Sequence, residues 1–195
     1  IRRFLIESRI EGIFLELSRS NFNWEEKDRS ILKEIEESSF KRFIKTSENL
    51  RYLREAIKEF DKMGIQFLIL KGGFLTTNIY EKISNRPIND IDIFIRESEN
   101  NSAIQALENI GLKPRDEVYT SNLHIRPMEN FNKSVRFDIH NKLFINELDT
   151  DNYFKNKVEI SIFEEKMYIP EGEIFFLNLI EHGTSRGNFD VGIQY

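Results

Sequence analysis

The 195-residue sequence contains no cysteine, so no disulfide framework, thiolate-held metal cluster or cysteine nucleophile is available to it. Histidine is nearly as scarce. The three residues at 124, 140 and 182 are scattered, which argues against a His-only zinc site, and any bound metal has to be held by carboxylates. Proline occurs four times, at 87, 114, 127 and 170, positions that punctuate elements and form no linker. No apolar run approaches the roughly 18 residues of a membrane span, and the opening Ile1-Arg2-Arg3-Phe4-Leu5-Ile6-Glu7 lacks the unbroken apolar stretch of a secretion signal. The reading is a cytoplasmic chain with no membrane partner. Positive charge is not in excess either: with 28 Lys and Arg against 33 Asp and Glu, net charge −5, the chain lacks the surplus cations that bulk nucleic-acid binding requires.

What the chain does have is aromatic bulk, with seventeen Phe, six Tyr and one Trp. A chain of this length buries roughly 70% of the surface its unfolded form exposes, so a core forms without staples, and Phe40, Phe43, Phe60 and Phe74 are read as part of it. The character of the sequence changes once. Up to residue 63 it reads as helices, because Ile31, Leu32 and Ile35, then Leu50, Leu53, Ile57 and Phe60, follow the three-and-four spacing of one buried face. Ser47 to Asn49 reads as a helix start and Gly64 as a stop.

From Ile65 the pattern is that of a sheet protein. Ile65 to Leu70 is a short apolar run ended by Lys71-Gly72-Gly73, as expected of a strand covered on both faces, and Phe74 to Tyr80 reads as a helix. Ile91, Ile93 and Ile95 alternate with period two, predicting a second strand. Glu99 to Ile110 returns to helical spacing and Gly111 ends it. Val118 to Arg126 and Ser134 to His140 read as two strands joined by a loop over 127–133, and Glu171 to Glu181 as a last helix. The expected architecture is α/β (α+β): a helical N-terminal segment over 1–63, then a small mixed sheet flanked by helices over 64–195. The chain opens without methionine and stops at Tyr195 with no terminal signal, so the second domain is expected to be incomplete at its C-terminal end.

The stretch from Lys71 to Ile95 carries the chemistry. A strand that ends in Gly72-Gly73 and turns at once into a helix presents bare backbone N–H groups where a phosphate can approach. In Asn89-Asp90-Ile91-Asp92-Ile93 the two aspartates project to one face of a strand while the isoleucines enter the core. Adjacent carboxylates repel, and a divalent cation removes that cost; sites of this type suit Mg²⁺ or Mn²⁺, which keep water and substrate phosphate as further ligands. In Val135 to His140 the alternation places Arg136, Asp138 and His140 on one face. If this strand lies beside the first, Asp138 becomes a third carboxylate of the cluster, the constellation that metal-assisted phosphoryl or nucleotidyl transfer uses.

Taken together, Lys71-Gly72-Gly73, Arg86-Pro87-Ile88-Asn89-Asp90-Ile91-Asp92, Phe137-Asp138-Ile139-His140 and a late Leu177 to His182 segment resemble the uncharacterised bacterial nucleotidyltransferase family of the DNA polymerase beta superfamily, over about residues 65–183. The resemblance implies the minimal nucleotidyltransferase fold and transfer of a nucleoside monophosphate from a nucleoside triphosphate to an acceptor, with release of diphosphate. It implies that Asp90 and Asp92 ligate Mg²⁺ (or Mn²⁺) ions and that Asp138 completes the set. It further implies that the backbone of Gly72 and Gly73 holds the outer phosphates. Lys71 and Arg86 are candidate phosphate contacts, and His140 is a candidate for orienting the substrate or a metal-bound water.

The partners that follow are the nucleoside triphosphate and an acceptor the sequence does not identify; a partner protein or a further C-terminal region is also expected. Gly73 stands where the superfamily commonly has Ser, and sixteen residues separate it from Asp90. Those departures keep open a second reading, a catalytically weak nucleotide-binding or regulatory, antitoxin-like module of the same fold. A third is a toxin-type transferase that modifies protein or RNA.

Overall fold

The computed structural model describes residues 10–21, 28–115, 125–144 and 150–185, with the single positions 5 and 25. Helix α1 spans Glu11–Asn21 and α2 spans Arg29–Met63. The second helix buries Ile35, Leu50, Leu53, Ala56, Ile57 and Phe60, most of the stripe that the spacing predicts, but Ile31 is 42% exposed and Leu32 only partly buried. It ends at Gly64, whose φ of 69° is left-handed; the Gly64 and Ile65 amides close back on the Asp61 and Phe60 carbonyl oxygens, a terminus that glycine accommodates without strain. The expected helix start at Ser47 is not there, because α2 runs through it unbroken. Thr46 and Asn49 have the side chains of cap residues but are buried and hold another segment: Asn49 Nδ2 donates to the Ile88 carbonyl oxygen at 3.1 Å and the Ile88 amide donates to Thr46 Oγ1 at 3.2 Å.

Strand β1 is Phe67–Ile69. Helix α3 begins directly at Lys71 and runs to Phe74, continued by a π-helical turn over Leu75–Ile79, so the two glycines lie inside its first turn and not ahead of it. Then follow β2 (Ile91–Ile95), α4 (Asn100–Asn109), β3 (Lys113–Pro114), β4 (Met128–Glu129) and β5 (Arg136–His140). The expected strand over 118–126 falls almost wholly outside the described residues; what pairs with β5 is β4, within the segment expected to be loop, and the Ile125 amide continues the pairing to the Ile139 carbonyl oxygen. After α5 (Asp151–Lys155) comes a hairpin of β6 (Val158–Ile162) and β7 (Glu165–Ile169), then α6 (Gly172–Ser185).

The main sheet is mixed, in the order β1-β2-β5-β4-β3, with β2 and β5 parallel and the other neighbours antiparallel. One face carries Phe67, Ile69, Ile91, Ile93, Ile95, Phe137 and Ile139 into the main core with α2 and α4. The other carries Leu68, Leu70 and Phe94 against Leu143 and Phe154, and it also carries Asp92, Asp138 and His140. Phe60 is fully buried as expected, whereas Phe40 and Phe43 are not core: they are 64% and 38% exposed, stacked on each other on the outer face of α2.

The helical N-terminal segment grips the loop ahead of β2. Glu11, almost wholly buried, accepts from Arg42 and Ser38 and so joins α1 to α2. Glu16 accepts from Lys82 at 2.5 Å and from Asn85 at 2.6 Å. At Gly12 a Cβ would stand 2.2 Å from the Ser84 carbonyl oxygen, so only glycine permits this approach of α1 to the loop.

Candidate active site

The parallel pairing of β2 with β5 sets Asp92 directly opposite Asp138. Their neighbours in each strand enter the core, and the alternation of a strand leaves the aspartates and His140 together on the opposite face. Asp90 lies one step before β2 on the same side as Asp92. Lys71 follows β1 with a φ of 43°, a left-handed backbone uncommon outside glycine, and its buried ammonium reaches Asp92 Oδ1 at 2.7 Å. His140 Nε2 meets the same oxygen at 2.8 Å. Arg136 Nη2 is bonded to both Asp90 Oδ2 and Asp138 Oδ2, the latter at 3.0 Å. Asp138 Oδ1 is buried and has no hydrogen-bond partner.

The electrostatics separate the two facing carboxyls. Burial works against ionisation of Asp92, but the Lys71 ammonium and the His140 hydrogen bond more than reverse it, and its carboxyl lies far below the usual carboxylate range. Asp138 goes the other way: burial, then the negative charge of Asp92, push it up to about 6, and Arg136 only partly opposes them. Burial pulls His140 below its ordinary value despite the Asp92 contact, so at neutral pH the ring is uncharged and Nε2–H donates to Asp92. Arg136 is shifted up: burial disfavours its charge, and Asp138 and Asp90 restore it.

The structure therefore brings Lys71, Asp90, Asp92, Asp138 and His140 into one cluster. Gly72 and Gly73 adjoin it in the first turn of α3, where helix amides have no intrahelical acceptor. Both are packed from behind: a Cβ at Gly72 would stand 2.8 Å from Ile88 Cγ2, and one at Gly73 3.0 Å from Ile69 Cγ2. Arg86 donates to the Pro87 carbonyl oxygen, and its own carbonyl accepts from Thr76 Oγ1. The residue that sequence reasoning passed over is Arg136. Its signal was present, since it shares a strand face with Asp138 two positions on, but a half-exposed Arg reads as a solvated charge until its partners are seen.

Among the described residues no three His, Asp or Glu side chains stand in a metal-ligating arrangement, and Lys71 and Arg136 form ion pairs with these carboxylates. The donor set nonetheless fits a hard divalent cation. All the acidic groups are oxygen donors, Asp138 Oδ1 is an unpartnered buried acceptor, and the Asp92 charge, which adds to burial in raising Asp138, is a repulsion a cation relieves.

A sheet of this order with helices on its flanks and carboxylates on neighbouring central strands defines a nucleotidyltransferase fold, and solved structures agree. Similar folds are found in the Thermotoga maritima protein TM1012, provisionally classed as a nucleotidyltransferase (TM-score 0.52, 13% identity, 72% of this chain and 88% of that one). They are found also in ANT(2'')-Ia in complex with adenylyl-2''-tobramycin (TM-score 0.53, 11% identity, 70% and 76%) and in the lincomycin-bound lincosamide antibiotic adenylyltransferase LnuA (TM-score 0.50, 19% identity, 72% and 92%). No curated protein sequence matches the chain. The chain belongs to the family described as uncharacterised nucleotidyltransferase, which it matches over residues 2–194.

Proposed function

We propose that this protein is a Mg²⁺-dependent enzyme that moves a nucleoside monophosphate from a nucleoside triphosphate to an acceptor hydroxyl, releasing diphosphate. The observation that carries the reading is the register of β2 and β5, which sets Asp92 against Asp138 beside the glycine-lined start of α3. In this reading residues 1–63 form a helical segment that braces the site, and residues 64–195 the transferase domain.

Asp90, Asp92 and Asp138 would hold Mg²⁺ or Mn²⁺. When bound, the cation would supply Lewis-acid stabilisation of the charge that develops around the α-phosphate. The amides of Gly72 and Gly73, with Lys71 and Arg86, would bind the outer phosphates and fix the α-phosphorus for attack in line. His140, neutral and bonded to Asp92, orients that carboxylate. Asp138, whose buried Oδ1 has no hydrogen-bond partner, would take the proton of the acceptor hydroxyl as the oxygen–phosphorus bond forms and the bond to diphosphate breaks.

The test is diphosphate release over a panel of hydroxyl acceptors. Asp90→Asn and Asp92→Asn are each expected to lower it by about a hundredfold or more, with the fold retained by circular dichroism; full activity in the double variant would contradict the assignment. The engagement of all three carboxylates by Lys71, His140 and Arg136 favours one other reading, a nucleotide-binding module with little turnover. Metal-dependent triphosphate binding with no diphosphate release on any acceptor would select it.

A further inference from the structure

We propose that Arg136 is a displaceable counter-cation: it occupies the oxygens of Asp90 and Asp138 that a divalent cation needs, and it passes its charge to a bound triphosphate when cation and nucleotide arrive together. The proposal rests on the reading of these carboxylates as a metal-binding set.

A single nitrogen, Nη2, bridges Asp90 Oδ2 on the approach to β2 and Asp138 Oδ2 on β5. A cation joining those two carboxylates competes for the same oxygens. The two groups that hold Asp92 differ from Arg136 in their exposure. Lys71 and His140 are 7% and 4% exposed, whereas the Arg136 side chain is 31% exposed and reaches solvent. Its buried Nε makes no hydrogen bond, so beyond the two carboxylates that edge of the guanidinium is not tied down. Once displaced, a guanidinium needs an anion, and a phosphate chain suits its planar donor fork better than any other ligand expected here. Entry of the metal therefore becomes easier when a triphosphate is present to receive Arg136, and by linkage the metal tightens the nucleotide by the same factor.

The experiment compares the wild type, Arg136→Gln and Arg136→Lys at pH 8. Binding of Mn²⁺ alone is read from the paramagnetic resonance of the free ion. Binding of a non-hydrolysable α,β-methylene triphosphate is read by calorimetry with and without saturating Mn²⁺. Arg136→Gln is expected to bind Mn²⁺ alone about tenfold more tightly than the wild type, and the gain in analogue affinity that Mn²⁺ confers is expected to shrink by a similar factor. Arg136→Lys, which keeps a cation in place, should stay close to the wild type. Arg136→Met takes the place of the glutamine variant should that one not fold. Equal Mn²⁺ affinity in the wild type and the neutral variant overturns the displacement while leaving the metal site standing. Absence of Mn²⁺ binding in every protein, with or without the analogue, overturns the metal-site reading and the displacement with it.

Discussion

Asp92 and Asp138 face each other across two parallel strands and are driven in opposite directions: the Lys71 ammonium and the His140 hydrogen bond outweigh burial and pull Asp92 down, whereas burial, and after it the Asp92 charge, push Asp138 up. The consequence for stability has opposite signs. Asp92, held below its ordinary value, stabilises the fold at neutral pH, and that contribution fades only in strong acid. Asp138, raised from 3.8 to about 6, binds its proton more tightly in the folded chain than in the unfolded one. Its contribution is complete below about pH 4 and is lost as pH rises through 6, about 3 kcal/mol in all. The metal-free protein is therefore expected to lose stability relative to Asp138→Asn between about pH 4 and 6 and to level off above that, measured by urea denaturation, and millimolar Mg²⁺ is expected to return part of that loss above about pH 6. A difference between the two proteins that does not change with pH would contradict the electrostatic account. The same scale shows what residue type alone conceals. Arg136, Asp138 and His140 could be placed on one face by alternation, but which cation meets which carboxylate depends on the neighbouring strand and on the turn at Lys71.

At the scale of elements, α2 does more than fill the core. Thr46 and Asn49 fasten Ile88, two residues before Asp90, to a rigid helix, so the position of the first carboxylate is set by a helix some forty residues earlier in the chain. Asn49→Ala is expected to cost about 1–2 kcal/mol in denaturation and to weaken nucleotide binding by loosening the 86–90 segment; an unchanged nucleotide affinity would show that the brace does not reach the site. Much of this scale was legible in sequence. Period-two alternation gave β2 and β5, and the apolar stripe and Gly64 gave the body and end of α2. The failures have local causes. Ser47 to Asn49 has the composition of a cap, yet here the polar groups satisfy a distant backbone and leave the helix intact. The β6–β7 hairpin carries no glycine or asparagine at its turn, because Phe163 and Glu164 take the left-handed conformations themselves with φ of 53° and 67°, so the usual turn signal is missing. Helix α3 begins earlier than its apolar pattern suggests, since its first turn is built of Lys71, Gly72 and Gly73.

At the scale of the whole molecule, the helical segment and the sheet meet on the loop over 82–88. Glu16 and Gly12 of α1 grip it from one side and α2 holds it from the other. No helix among the described residues is long and apolar enough to cross a membrane, and the overall charge is −5, so in the proposed reading the attraction of a triphosphate rests on local groups such as Arg86 and Arg136. The central claim is that the carboxylates on β2 and β5 form a cation-dependent triphosphate site. The most direct measurement is calorimetric titration of each nucleoside triphosphate into the wild type and Asp90→Asn, with and without Mg²⁺. The account predicts binding that requires both the cation and Asp90. Triphosphate binding of equal strength without Mg²⁺ or in Asp90→Asn, or no binding under any condition, would contradict it.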